Sequence, residues 1–169
     1  FFYPEEFKIN ELTAGLVELG HKVTVITGKP NYPKGKIYDG YKLWGVQKDR
    51  YKGAEVIRLP VIPRGNGKSL RLIVNYFSFI VSACTYLIFH TIHPDAVFVW
   101  ESSPITQAYP ALLLKRRTGC KVSMWVQDLW PESVDAASNI HNAFVMKALN
   151  CMVRNIYRHL DTIFIQSIA

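Results

Sequence analysis

Ile9, Leu12, Leu16 and Leu19 recur at spacings of three, four and three. That is one face of a helix, so a helix is predicted over 5–19, stopped by Gly20. A β-branched run over 23–27, closed by Gly28 and Pro30, reads as a strand. Residues 28–54 are rich in Gly, Lys and Tyr and hold no sustained period, so they read as a long loop with room for a small hairpin or short helix. Alternation over 55–61 predicts a second strand, ended by Pro63 and Gly65. Ser69 is placed to cap a helix whose stretch 72–89 carries no charge. A buried strand is predicted over 95–100. A helix then starts at Ser103-Pro104 and runs to Arg117, kinked at Pro110 and ended by Gly119. Lys115, Arg116 and Arg117 suit the negative end of its dipole. A strand over 122–127, a long helix over 144–160 and a strand over 162–165 follow.

Helices therefore alternate with short uncharged strands. This order predicts an α/β, Rossmann-like fold: a parallel sheet with helices on both faces and right-handed crossovers. The opening helix calls for a strand ahead of it. The chain begins Phe1-Phe2-Tyr3-Pro4, with neither Met nor a signal-peptide pattern. The first strand is therefore expected to be missing, and the chain to be a piece of a longer protein.

Composition narrows the class. The chain has 169 residues, 49% hydrophobic and 20% charged, which suits one domain with a true core and excludes disorder as the main state. Cys84, Cys120 and Cys151 form no C-x-x-C pair, so neither a zinc ribbon nor a disulfide scaffold is expected. His90-x-x-His93 has only Asp95 as a neighbouring carboxylate, and no metal site is expected there. The net charge of +7 is uneven: residues 51–90 carry five basic side chains against Glu55 alone. An acidic partner is implied near that segment. Nucleic acid is not expected, because no basic stripe is interleaved with aromatics.

In an open parallel sheet, ligands bind beyond the carboxyl ends of the strands. The residues at those positions are Glu6, Lys8 and Asn10 at the first turn, then Lys29, Asn31 and Tyr32, then Glu101, and then Asp128, Trp130 and Glu132. Aromatic rings beside carboxylates and amides suit a sugar, which needs an apolar face and hydroxyl acceptors. Each also has an ordinary structural use. Asp128 and Glu101 fit turn caps, Lys29 and Asn31 fit turns, and acidic residues in a first helical turn complement its dipole. Gly65-Asn66-Gly67-Lys68-Ser69 resembles the end of a phosphate loop, but position 62 is Ile rather than Gly. No G-x-S-x-G is present, so an α/β serine hydrolase has no support.

The uncharged run over 72–89 would be about 27 Å long as a helix, near the ~30 Å of a bilayer core. Asn75, Ser78, Ser82 and Thr85 form a polar stripe on it. A helix with one apolar side on lipid, flanked by Arg64, Lys68 and Arg71, is therefore the expectation, with a plain core helix as its alternative.

Three segments together resemble a known family. They are Phe2-Tyr3-Pro4-Glu5-Glu6-Phe7-x-Ile9-Asn10, Thr27-Gly28-Lys29-Pro30-Asn31-Tyr32-Pro33-x-Gly35, and Gln127-Asp128-Leu129-Trp130-Pro131-Glu132-Ser133. In order and position they look like the amino-terminal domain of family 4 glycosyltransferases, and most resemble the fucosamine-type transferases of bacterial O-antigen and capsule synthesis. The resemblance implies one half of a GT-B enzyme, with 1–169 as the acceptor-binding domain and a carboxyl-terminal donor domain absent from the chain. It implies retaining transfer from a nucleotide sugar to a polyprenyl-diphosphate-linked acceptor. The enzyme would sit peripherally on the inner face of the bacterial cell membrane. No cofactor or metal is implied, because helix dipoles and basic side chains meet the diphosphate charge. A polar contact to the transferred sugar would fall to Asp128, with Glu101 as its partner carboxylate. The fragment alone would be inactive. Two alternatives remain open at this point: a sugar-nucleotide epimerase of the same architecture, and a non-catalytic membrane-associated binding domain.

Overall fold

The computed structural model describes residues 8–67, 69–131 and 143–166. By backbone contacts the chain divides into two compact units, Phe1–Thr85 and Tyr86–Ala169. The fold is α/β and Rossmann-like, consistent with one half of a GT-B fold, and each unit is built around a three-stranded sheet.

In the first unit, helix α1 (Lys8–Glu18) precedes strand β1 (Thr24–Gly28). The helix ends as its glycine requires. Gly20 adopts φ +88°, its N–H donates to the Val17 carbonyl at 2.9 Å, and that of His21 to Leu16 at 3.0 Å. This pair of bonds satisfies the last carbonyls of the helix. Strands β2 (Gln47–Tyr51) and β3 (Ala54–Leu59) form a hairpin across Lys52-Gly53, both at positive φ. That combination makes a two-residue turn whose twist matches the strands. β3 is the centre, parallel to β1 and antiparallel to β2, and Ala54, Val56, Ile57 and Leu59 are buried on it. α1 packs against β3, burying Asn10, Thr13 and Ala14.

The antiparallel β2 lies within the 28–54 segment, read from the sequence as a long loop with room for a small hairpin. β2 reads Gln-Lys-Asp-Arg-Tyr, a polar strand with no apolar alternation to reveal it. It pairs through its backbone and through Asp49, which accepts from the buried Arg58 of β3. Residues 1–7, ahead of α1, lie outside the described ones.

Helix α2 (Ser69–Phe89) starts three residues before the uncharged run. In the second unit, β4 (Ala96–Glu101), β5 (Lys121–Val126) and β6 (Thr162–Ile165) form a wholly parallel sheet with β5 central. Between β4 and β5 the expected single helix is a 3₁₀ turn, Ile105–Gln107, continued by α3 (Ala108–Thr118). Pro110 lies in the first turn of α3, where its missing N–H costs no helical bond, so it opens the helix rather than kinking it. Gly119 caps α3 at φ +74°, its N–H donating to Lys115. Helix α4 (Ala143–Arg158) follows β5. The core here is Val122, Met124 and Val126 on β5, with Ile105, Ala108 and Leu114 from the β4–α3 connection, and Val153 and Ile156 from α4.

Candidate functional site

The carboxyl ends of β1 and β3 carry the first group of candidate residues. Lys29 follows β1 with its backbone N–H donating to Leu59 at 3.1 Å, which continues the β1–β3 ladder. Its side chain is only 1% exposed. The ammonium donates to the carbonyls of Lys42 and Trp44, the latter at 2.9 Å. Burial, and then the charge of Lys42, hold its pKa below the usual lysine value. Lys29 thus tethers the 42–44 segment, beside a cavity of about 250 Å³ that Lys42, Trp44 and Gln47 also line. Asn31 bridges two loops: its amide donates to the Lys29 carbonyl at 3.0 Å and accepts from the Arg64 N–H at 3.1 Å. The Arg64 guanidinium lies over the rings of Tyr32 and Tyr76, at 5.1 and 5.4 Å, and donates to the Tyr76 hydroxyl at 3.2 Å. Such stacking keeps the cation while ordering both rings.

On α1, Lys8 is exposed and Asn10 is 1% exposed. Both amide atoms of Asn10 lack a hydrogen-bond partner among the described residues, an unmet demand at the first turn of the helix.

The second group stands at the ends of β4 and β5. Glu101 is fully buried. One carboxylate oxygen accepts from the Ser103 N–H at 3.0 Å. The other accepts from the N–H groups of Gln127 and Asp128, both at 3.2 Å. A single carboxylate therefore binds the two strand-end loops together. Burial raises its pKa, the three N–H donors oppose that, and the nearby Asp128 charge adds to it. Ser103 adopts φ +87°, a strained backbone for a residue with a Cβ, and its N–H points at Glu101. Its hydroxyl accepts from the Trp130 indole N–H at 3.3 Å, which positions the ring over the same junction. The Asp128 side chain is half-buried, with no hydrogen bond to its carboxylate among the described residues.

So Lys29, Asn31, Tyr32 and Arg64 are brought together in the first unit, and Glu101, Asp128 and Trp130 in the second. Lys8 and Asn10 lie apart on α1, and Arg71 on α2. Glu6, Lys68 and Glu132 lie outside the described residues. Sequence reasoning missed Ser103, Gln127 and Tyr76. The first two meet Glu101 through backbone N–H groups, which leave no mark on side-chain chemistry. Tyr76 is one aromatic among many in an apolar run. Among the described residues, no three His, Cys, Asp or Glu side chains converge as a metal site.

The outer side of α2 carries a further feature. Leu70, Ile73, Val74, Phe77, Val81 and Ile88 are all exposed, Leu70 at 75% and Phe77 at 65%. They recur at helical spacing along one face. A flanking face holds Asn75, Ser78 and Ser82, bonded to backbone. Asn75 donates to the Ile62 carbonyl at 2.6 Å and Ser82 to Pro60 at 2.6 Å, while Ser78 accepts from the Ile62 N–H at 2.9 Å. The helix thus exposes one apolar stripe, while Ala83, Tyr86 and Leu87 are buried elsewhere on its circumference.

Residues 7–168 match the family model described as a glycosyl transferase 4-like domain. A search of curated proteins finds no match.

Proposed function

The chain belongs to the glycosyl transferase 4-like family, and on that premise we propose that it is the acceptor-binding domain of a retaining glycosyltransferase. In this reading the enzyme moves a sugar from a nucleotide-sugar donor to a polyprenyl-diphosphate-linked acceptor. It works in bacterial O-antigen or capsule synthesis, with a fucosamine-type sugar, peripherally on the inner face of the cell membrane. The donor is held by a second domain, and neither metal nor cofactor takes part.

The observation that carries the transfer chemistry is the carboxylate of Asp128. It stands at the carboxyl end of β5 without a hydrogen-bond partner among the described residues, on a loop braced by Glu101. Retaining transfer develops oxocarbenium character on the sugar. A preorganised carboxylate stabilises that charge or accepts a hydroxyl of the sugar. Trp130 offers the apolar ring face that a sugar stacks on. Glu101 serves by position: all three of its described hydrogen bonds go to backbone.

The outward apolar face of α2 supports the lipid-linked acceptor. A spanning helix would meet lipid all round, whereas α2 spends its polar side on the backbone of residues 60–62. In this reading it lies on a membrane rather than crossing it. The test is Asp128→Asn in a transferase that carries this domain. Turnover falls at least ~10-fold, or ~1.4 kcal/mol of barrier, with the fold kept by circular dichroism. Unchanged turnover would make Asp128 a loop residue only.

A further inference from the structure

In the first unit, the loops after β1 and β3 touch backbone to backbone. The Gly65 N–H donates to the Gly35 carbonyl at 2.9 Å. Gly35 has φ +70°, and a Cβ there would stand 1.8 Å from the Gly65 carbonyl oxygen, so only glycine permits the approach. This junction floors a cleft of about 610 Å³, and Lys36, Tyr41, Asn66 and Arg71 line it around the two glycines. Arg71 makes one long contact, 3.5 Å to the Pro63 carbonyl. Neither Lys36 nor Arg71 has an acidic partner among the described residues. The cleft therefore holds two cations whose charge the described chain leaves unneutralised, with a phenol and an amide beside them.

Arg71 also ties the cleft to α2. It sits next to Leu70, where the outward apolar stripe begins, and the stripe continues for about 27 Å to Ile88 at ~1.5 Å per residue. A doubly positive cleft at the head of an apolar track is complementary to an amphiphile with a multiply charged head. A phosphodiester headgroup carries one negative charge, and a diphosphate carries at least two. Arginine in particular pairs with two phosphate oxygens at once.

We infer that this cleft binds the diphosphate head of a long-chain lipid, whose tail enters the membrane beside the outer face of α2. The inference rests on the lipid-linked acceptor proposed above and assigns it a seat within this chain, apart from Asp128.

The test measures binding of the purified chain to three kinds of vesicle: neutral phosphatidylcholine, phosphatidylcholine with undecaprenyl diphosphate, and phosphatidylcholine with phosphatidylglycerol at the same surface charge. Inorganic pyrophosphate serves as the soluble competitor. Diphosphate-lipid vesicles bind at least about tenfold more tightly than the phosphatidylglycerol vesicles. The Lys36→Gln/Arg71→Gln variant binds the two kinds equally. Asn66→Asp, which puts a negative charge into the cleft without touching either cation, reduces the same preference. Phe77→Gln, outside the cleft, weakens binding to both kinds together and leaves the preference intact. A preference that survives in the double variant overturns the cleft assignment while leaving membrane contact standing. So does a wild-type chain that binds both charged vesicles alike. Pyrophosphate that binds as tightly as the lipid removes the tail from the site. A chain that binds no vesicle overturns both this inference and the membrane reading beneath it.

Discussion

Glu101 shows how one side chain can look catalytic and be spent on structure. Its carboxylate is buried, yet three backbone N–H groups surround it, and these close the β4 and β5 ends around Asp128. Glu101→Ala leaves all three donors without their acceptor, and urea unfolding of that variant drops by at least about 3 kcal/mol. The pH dependence has a definite sign. Burial places the folded pKa of Glu101 above its unfolded value. Its contribution to stability is therefore present below about pH 4.3, the unfolded value, and is lost as pH rises through the raised folded value. Glu101→Gln cannot ionise, so a series of melting temperatures from acid to neutral pH is flatter in that variant over this window. Equal slopes in the two proteins would place the Glu101 pKa at its ordinary value. Lys29 is a parallel case: its cation, expected to face a ligand, holds the Lys42 and Trp44 carbonyls, because burying an ammonium requires acceptors close by.

Elements are joined in the second unit by a carboxylate outside the site. Asp161, just before β6, accepts from the Val122 N–H of β5 at 2.8 Å, from Lys115 of α3 at 2.7 Å and from Lys121 of β5 at 3.2 Å. The Lys115 hydrogen bond, then the Val122 N–H, hold its pKa well below the carboxylate range. The sign is opposite to that of Glu101. Stability from Asp161 is present above the unfolded value of about 3.9 and fades as pH falls through the depressed folded one. Asp161→Asn is accordingly less stable than wild type at pH 7, and the gap closes in acid. Chemical denaturation at the two pH values checks it, and a constant gap would remove the linkage. For α2, periodicity showed both a polar and an apolar stripe and left open whether the apolar one faced outward or into a core. The polar stripe turns inward because the carbonyls of Pro60 and Ile62, left over where β3 ends, need donors, and Asn75 and Ser82 supply them.

For the whole chain, the net charge of +7 with its excess over residues 51–90 would make the proposed membrane contact electrostatic as well as apolar. Raising salt from ~0.05 to ~0.5 M, where the screening length falls several-fold, lowers affinity for anionic vesicles at least ~10-fold. Salt-insensitive binding would leave the apolar stripe as the sole contact. By itself the sequence determined what depends on neighbours along the chain. The helices over α1, α3 and α4, the glycine stops at Gly20 and Gly119, and the strands β1, β3, β4, β5 and β6 were all legible, because periodicity and capping are local. So was the set of loops at the strand ends. The tertiary structure decided what depends on distant partners. It set β1 parallel to β3, bound the inner polar side chains of α2 to residues 60–62, committed Lys29 and Glu101 to backbone groups, and brought Gly35 against Gly65 to floor the cleft beside Lys36 and Arg71. These contacts link residues that are far apart along the chain, and each side chain involved was chemically suited to more than one partner. Only the packed chain, in which a buried donor or charge left without a partner is costly, selects among them.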